Sequence, residues 1–197
     1  MDTKRRVLGN THPQTIDALE NFGNFLRRKG DYAQALAMLI EALQANRAVY
    51  GEQHTYVGYD HVNLGLLNYD RGDYARAESE FSAALSIYNH SLEPDHVLIA
   101  GAKIGLGRSL TKLGQTAQAI VQLQAAVAIS SESLGADNPV THTGRAALGL
   151  ALLAGGDKQQ AHQLLLATQA SIEKTYGLHA VITREVRSGL QQLQTPG

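Results

Sequence analysis

The chain has 197 residues, 44% of them apolar, with 17 basic against 18 acidic side chains and no cysteine. That length and composition suit one ordinary domain or one short solenoid with a real core. The formal net charge of −1 supplies no bulk field for a nucleic acid or a membrane surface, and the missing thiol removes disulfide frameworks, thiolate metal sites and Cys nucleophiles.

The opening "MDTKRRVLGNTHPQT" is charged with no apolar run behind it, so it is not a secretory signal. Residues 1–9 read as the tail of a preceding helix. The chain is then an excerpt from a longer array or its N-terminal edge, with Val7 and Leu8 on that edge. Thr15, Leu19, Phe22 and Leu26 fall at helical spacing and predict a first helix. Gly30 stops it as a C-cap, and Asp31 is placed to N-cap the next. Ala35, Leu36, Leu39, Ala42 and Leu43 give the second helix, which ends near Tyr50 and Gly51.

The turn "RRKGDYAQAL" returns as "DRGDYARAES", and with it the whole pattern. Gly30, Gly72, Gly114 and Gly156 are spaced 42 residues apart. So are Gly23, Gly65, Gly107 and Gly149, each preceded by a large apolar residue: Phe22, Leu64, Leu106 and Leu148. Ala35, Ala77, Ala119 and Ala161 keep the step, as do Gly9, Gly51, Gly135 and Gly177, where only Glu93 breaks the series. The helical glycines and alanines let neighbouring helices approach, which offsets the roughly 0.5–1 kcal/mol that glycine costs inside a helix. Repeats therefore run over about 10–51, 52–93, 94–135 and 136–177. In the last two, Thr116 and Lys158 stand where Tyr32 and Tyr74 stood, and Lys103 and Arg145 take the place of Leu19. "AVITREVRSGLQQLQ" then predicts a capping helix over 178–194, with Ile182, Val186, Leu190 and Leu193 as its stripe. No strand pattern appears. The longest nearly apolar stretch, residues 146–156, is far short of the about 20 residues that span a bilayer. A soluble, cytoplasmic protein is expected.

The chemistry-bearing candidates weigh against an enzyme. No glycine follows a strand, so neither a P-loop nor a dinucleotide loop fits. His12, His54 and His96 share the period, but equivalent points on packed helices lie roughly 8–10 Å apart, too far to hold one zinc at about 2 Å. They read as loop residues that hydrogen-bond the start of the next helix, a role Asn138 takes in the fourth repeat. Asp17 and Glu20 form a carboxylate pair on an exposed helix face with no recurrent His or Ser partner. Neither a catalytic residue nor a metal or cofactor site is expected.

The Leu-Gly, small, Ala, large apolar, Ala pattern resembles the tetratricopeptide repeat (TPR), whose ordinary period is about 34 residues. The longer period here, the openings "LGNTHP", "YGEQHT", "LEPDHV" and "LGADNP", and the segment "VNLGLLNYDRGDYARAE" are similar to kinesin light chain and its bacterial relatives over about residues 7–194. The resemblance implies an all-α, right-handed TPR superhelix, an α-solenoid of four helix pairs with a capping helix, in one domain over 1–197. It implies first helices lining a concave groove that takes a partner's peptide. Along that face stand Asn21, Asn24, Arg28, Tyr59, Asn63, Leu66, Arg108, Lys112 and Leu150. Relatives use Asn to bracket a peptide backbone, so Asn21, Asn24 and Asn63 are the expected main-chain contacts. Arg108 and Lys112 either meet acidic ligand residues or form an ordinary solvated pair. Chaperone-docking TPR domains hold a terminal carboxylate with cations, and the matching positions Glu20, Gly101 and Gly105 carry none, so no chaperone tail should bind. The expected protein is a non-enzymatic scaffold with a protein or peptide partner, acting on neither nucleic acid nor membrane. The alternatives are self-association into a homo-oligomer through terminal repeats, or a regulatory arm of a larger signalling protein.

Overall fold

The structure, a computed structural model, describes residues 9–194. The expected tail helix and the edge at Val7 and Leu8 fall almost wholly outside that range. Among the described residues all regular structure is helical: α1 (Pro13–Lys29), α2 (Tyr32–Tyr50), α3 (Thr55–Asp70), α4 (Tyr74–Ser91), α5 (Val97–Lys112), α6 (Thr116–Leu134), α7 (Pro139–Ala154), α8 (Lys158–Tyr176) and α9 (Val181–Gln194). The helices pair as the period requires. The chain divides into two compact units, Met1–Glu93 and Pro94–Gly197. The boundary coincides with the one broken glycine. At Gly51, Gly135 and Gly177 the chain leaves a second helix through positive φ, whereas Leu92 before Glu93 is extended at φ −132°.

Turn chemistry follows the motif. Gly30 takes φ 91°, and Asp31 N–H behind it donates to Leu26 O, the left-handed exit that glycine adopts without strain. Asp73 and Asp157 cap α4 and α8 through their carboxylates. Asp31 differs from the expectation: it stands at the N-cap with no side-chain cap bond, because its carboxylate turns to Lys29 Nζ at 3.0 Å. The tyrosines of the first two turns anchor them, Tyr32 OH donating to Asp70 O and Tyr74 standing edge-on to Tyr69.

Packing within a repeat is set by the small residues. A β-carbon at Gly23 would meet Leu39, at Gly65 Phe81, at Gly107 Leu123 and at Gly149 Leu165. These four partners are themselves 42 residues apart, so each glycine seats a large apolar side chain at the same register position of the following helix. In the first unit a core of Leu26, Ala35, Leu39, Leu43, Val57, Leu64, Leu67 and Ile87 links its two repeats. In the second, Leu165 and Ile172 close with Ile182, Val186 and Leu190 of α9, the stripe expected of a capping helix. Two of the substitutions at Leu19's position are matched by their partners. Leu19 packs with Met38, His61 bonds Glu80 at 2.6 Å, and Lys103 bonds Gln122 at 3.0 Å.

Phe22 departs from its expected place. It is 41% exposed and stacks on Phe25, itself 53% exposed, while the buried side of α1 is completed by Ile16 and Gly23. The equivalent Leu64 and Leu67 are buried because α2 and α3 pack together; no described helix lies in the corresponding position before α1.

Candidate functional site

The first unit brings α1 and α3 side by side in parallel register. Asn24 Nδ2 donates to Asn63 Oδ1 at 3.1 Å. Further along both helices, Arg27 of α1 pairs with Asp70 of α3. One turn earlier the same register sets Glu20 beside Tyr59 and Asp60. Here Asn46 enters from α2: its Nδ2 donates to Glu20 Oε1 at 3.1 Å and to Asp60 Oδ2 at 2.7 Å. Asp60 is 0% exposed, and Glu20 is half-buried.

One amide therefore reaches two of the pair's four carboxylate oxygens, one on each acid. Burial, then the Asp60 charge, pushes the Glu20 carboxyl up to about 7. Burial likewise lifts Asp60 to about 6, opposed by hydrogen bonds from Asn46 and Glu20. Two desolvated acids this close retain a proton into the neutral range. The charges around them are Asp17, which raises Glu20 further, and Arg47 and His61, which favour ionised Asp60. Both are themselves engaged, Arg47 with Glu52 and His61 with Glu80. Behind the pair, Tyr88 packs on α3 where Gly58 leaves room: a β-carbon there would sit 2.5 Å from its Cε1. The buried Asp60 Oδ1 and Tyr88 hydroxyl have no hydrogen-bond partner among the described residues.

The expected groove residues divide sharply. Asn21, Arg28 and Tyr59 are exposed, and Asn24 and Leu66 are half-buried. Asn63 is only 3% exposed; it holds Asn24 rather than standing open. In the second unit, Arg108 and Lys112 both reach Glu185 of α9, each at 2.9 Å. The capping helix supplies a counter-ion to both. Leu150 is likewise taken up, packed against the α9 cluster.

The periodic histidines are caps. Nδ1 of His12, His54 and His96 accepts from Gln14, Tyr56 and Leu98 N–H, and Asn138 Oδ1 accepts from Val140 N–H. Among the described residues no three His, Cys, Asp or Glu side chains converge to hold a metal ion, and no helix is long and apolar enough to cross a membrane.

Sequence reasoning missed Asp60 and Asn46 and placed Glu20 with Asp17 alone. A signal was present. Asp60 occupies the register position of Ala18, Ala102 and Gly144, so one repeat carries a charge where the others carry small apolar residues.

A family model described as tetratricopeptide repeat matches residues 14–90, 59–130 and 98–174. Among solved structures, the nearly identical TPR-like repeats of a Podosopora anserina protein described as a kinesin light chain align with a TM-score of 0.71 at 19% identity, covering 92% of this chain and 86% of that one. BtubC (BKLC) from P. vanneervenii aligns with a TM-score of 0.74 at 16% identity, covering 97% of this chain and 78% of that one. No curated protein matches the sequence.

Proposed function

The chain belongs to the tetratricopeptide repeat family, whose repeats generally mediate protein–protein interaction, and on that premise we propose that it is a non-enzymatic cytoplasmic scaffold that binds a peptide segment of a partner protein. The observation that carries the proposal is the α1/α3 face of the first unit. There the exposed Asp17, Asn21 and Tyr59 stand beside the Asn24–Asn63 amide pair. Asn21 offers a donor and an acceptor to a peptide backbone, Tyr59 offers apolar area with a polar tip, and the Asn24–Asn63 amide pair fixes the spacing of the two helices. The experiment is a binding screen of randomised peptide pools by fluorescence anisotropy, against the wild-type chain and the Asn21→Ala, Tyr59→Ala double variant. Saturable binding weakened by the double variant supports the reading; binding indifferent to it overturns the assignment to this face.

Phe22 and Phe25 favour a second reading. Their equivalents Leu64 and Leu67 are buried where α2 packs on α3, so this edge suits a helix from a second copy. Light scattering over a concentration series discriminates: dimers lost on Phe25→Ser support self-association, and a strict monomer removes it.

A further inference from the structure

We propose that Asp17, Glu20 and Tyr59, backed by Asp60, form a seat for a lysine or arginine side chain of the bound peptide. The inference rests on the peptide-binding reading and specifies what that peptide must carry. The charge balance favours it: Asp17 and Glu20 are reachable from solvent, Asp60 lies behind them, and the nearby Arg47 and His61 are committed to Glu52 and Glu80. Tyr59 is 41% exposed beside these carboxylates and presents a ring on which a cation can lie.

The second observation is the character of the unsatisfied atoms. Asp60 Oδ1 accepts only, and the Tyr88 hydroxyl can donate or accept; both are buried at this spot without a partner among the described residues. The Asn46 amide has spent both of its donors on the pair. A guanidinium or ammonium group donates without accepting, which suits the free Asp60 oxygen and the carboxylates in front of it. An acidic or neutral peptide side chain offers fewer donors and, if acidic, meets two carboxylates.

The proposal carries a proton signature. A cation that docks against ionised Glu20 displaces the proton shared with Asp60, which leaves to solvent. Binding then tightens as pH rises from about 6 to about 8, the range in which the raised carboxyls release that proton. The groups facing the seat are Asp17 on α1, Asn46 and Arg47 on α2, Tyr59, Asp60 and His61 on α3, and Glu80 and Tyr88 on α4.

The test uses randomised peptide pools with a fixed central arginine, against matched pools with the uncharged isostere citrulline. Anisotropy should show the arginine pool binding about tenfold tighter, the scale of a charge-assisted bond over a neutral one. Glu20→Gln, which keeps shape and removes the charge, should erase that preference and its rise with pH. Asp17→Asn, at an exposed position, should reduce it in part. Equal binding of the two pools by wild type overturns the seat and leaves the peptide reading standing. Full arginine preference in Glu20→Gln also overturns it. If neither pool binds, the peptide reading falls and the seat with it.

Discussion

Replacing Glu20 by glutamine should stabilise the protein at pH 8 and leave it unchanged near pH 4. In the native state the carboxyl is raised from 4.5 to about 7, whereas in the unfolded chain it ionises normally. Between those values the native state holds a proton that the unfolded state has released. Stability therefore falls as pH rises through this window. A tenfold change in acidity corresponds to about 1.4 kcal/mol, so the raised carboxyl sets a ceiling of about 3 kcal/mol. Solvent at the half-buried side chain screens part of that, leaving about 1–2 kcal/mol. Glutamine removes the cost, still accepts from Asn46, and adds a donor for Asp60. Urea denaturation of both proteins at pH 4, 6 and 8 measures the difference directly. A variant less stable than wild type at pH 8, or a difference independent of pH, would refute the account of a proton-sharing pair.

Three further perturbations probe the scaffold. Gly65→Ala places a β-carbon 2.8 Å from the Phe81 ring and should lower stability by about 1–3 kcal/mol, read from the urea midpoint. His54→Ala removes the acceptor for Tyr56 N–H and its contacts with Tyr50 and Tyr56, costing about 1 kcal/mol, whereas His54→Asn should recover most of it, as Asn138 does naturally. Glu185→Ala strips the shared counter-ion from Arg108 and Lys112 and should cost about 3 kcal/mol, since the largely buried Arg108 loses that carboxylate. A chaperone tail ending in a free carboxylate should show no saturable binding by anisotropy, because Glu20 occupies the first of the matching positions with Asp17 close by.

The architecture was legible because it is periodic. One glycine spacing placed the helix pairs, their turns and the capping helix, since backbone conformation at Gly30 and close approach at Gly65 are demanded locally and repeated. Phe22 was misplaced for the converse reason: its copies are buried by a neighbouring helix, and the same position without such a neighbour stays exposed. The expected groove residues fared unevenly because face composition does not reveal internal partners. Nothing in the sequence near Arg108 announces Glu185, 77 residues away, and nothing near Asn63 announces that its oxygen is held by Asn24. The acid pair lay outside the period altogether. Asp60 and Asn46 are visible only as deviations from their own register positions, and their convergence depends on three helices meeting at one turn.

Resonance mapping by two-dimensional NMR with the tightest peptide from the randomised pool tests the central claim most directly. The account predicts that titration shifts the backbone amides of Asp17, Glu20, Asn21 and Tyr59 on α1 and α3, with the outward faces of α2 and α4 unmoved. Shifts confined to those outer helices, or to the Phe22 and Phe25 edge, would contradict it.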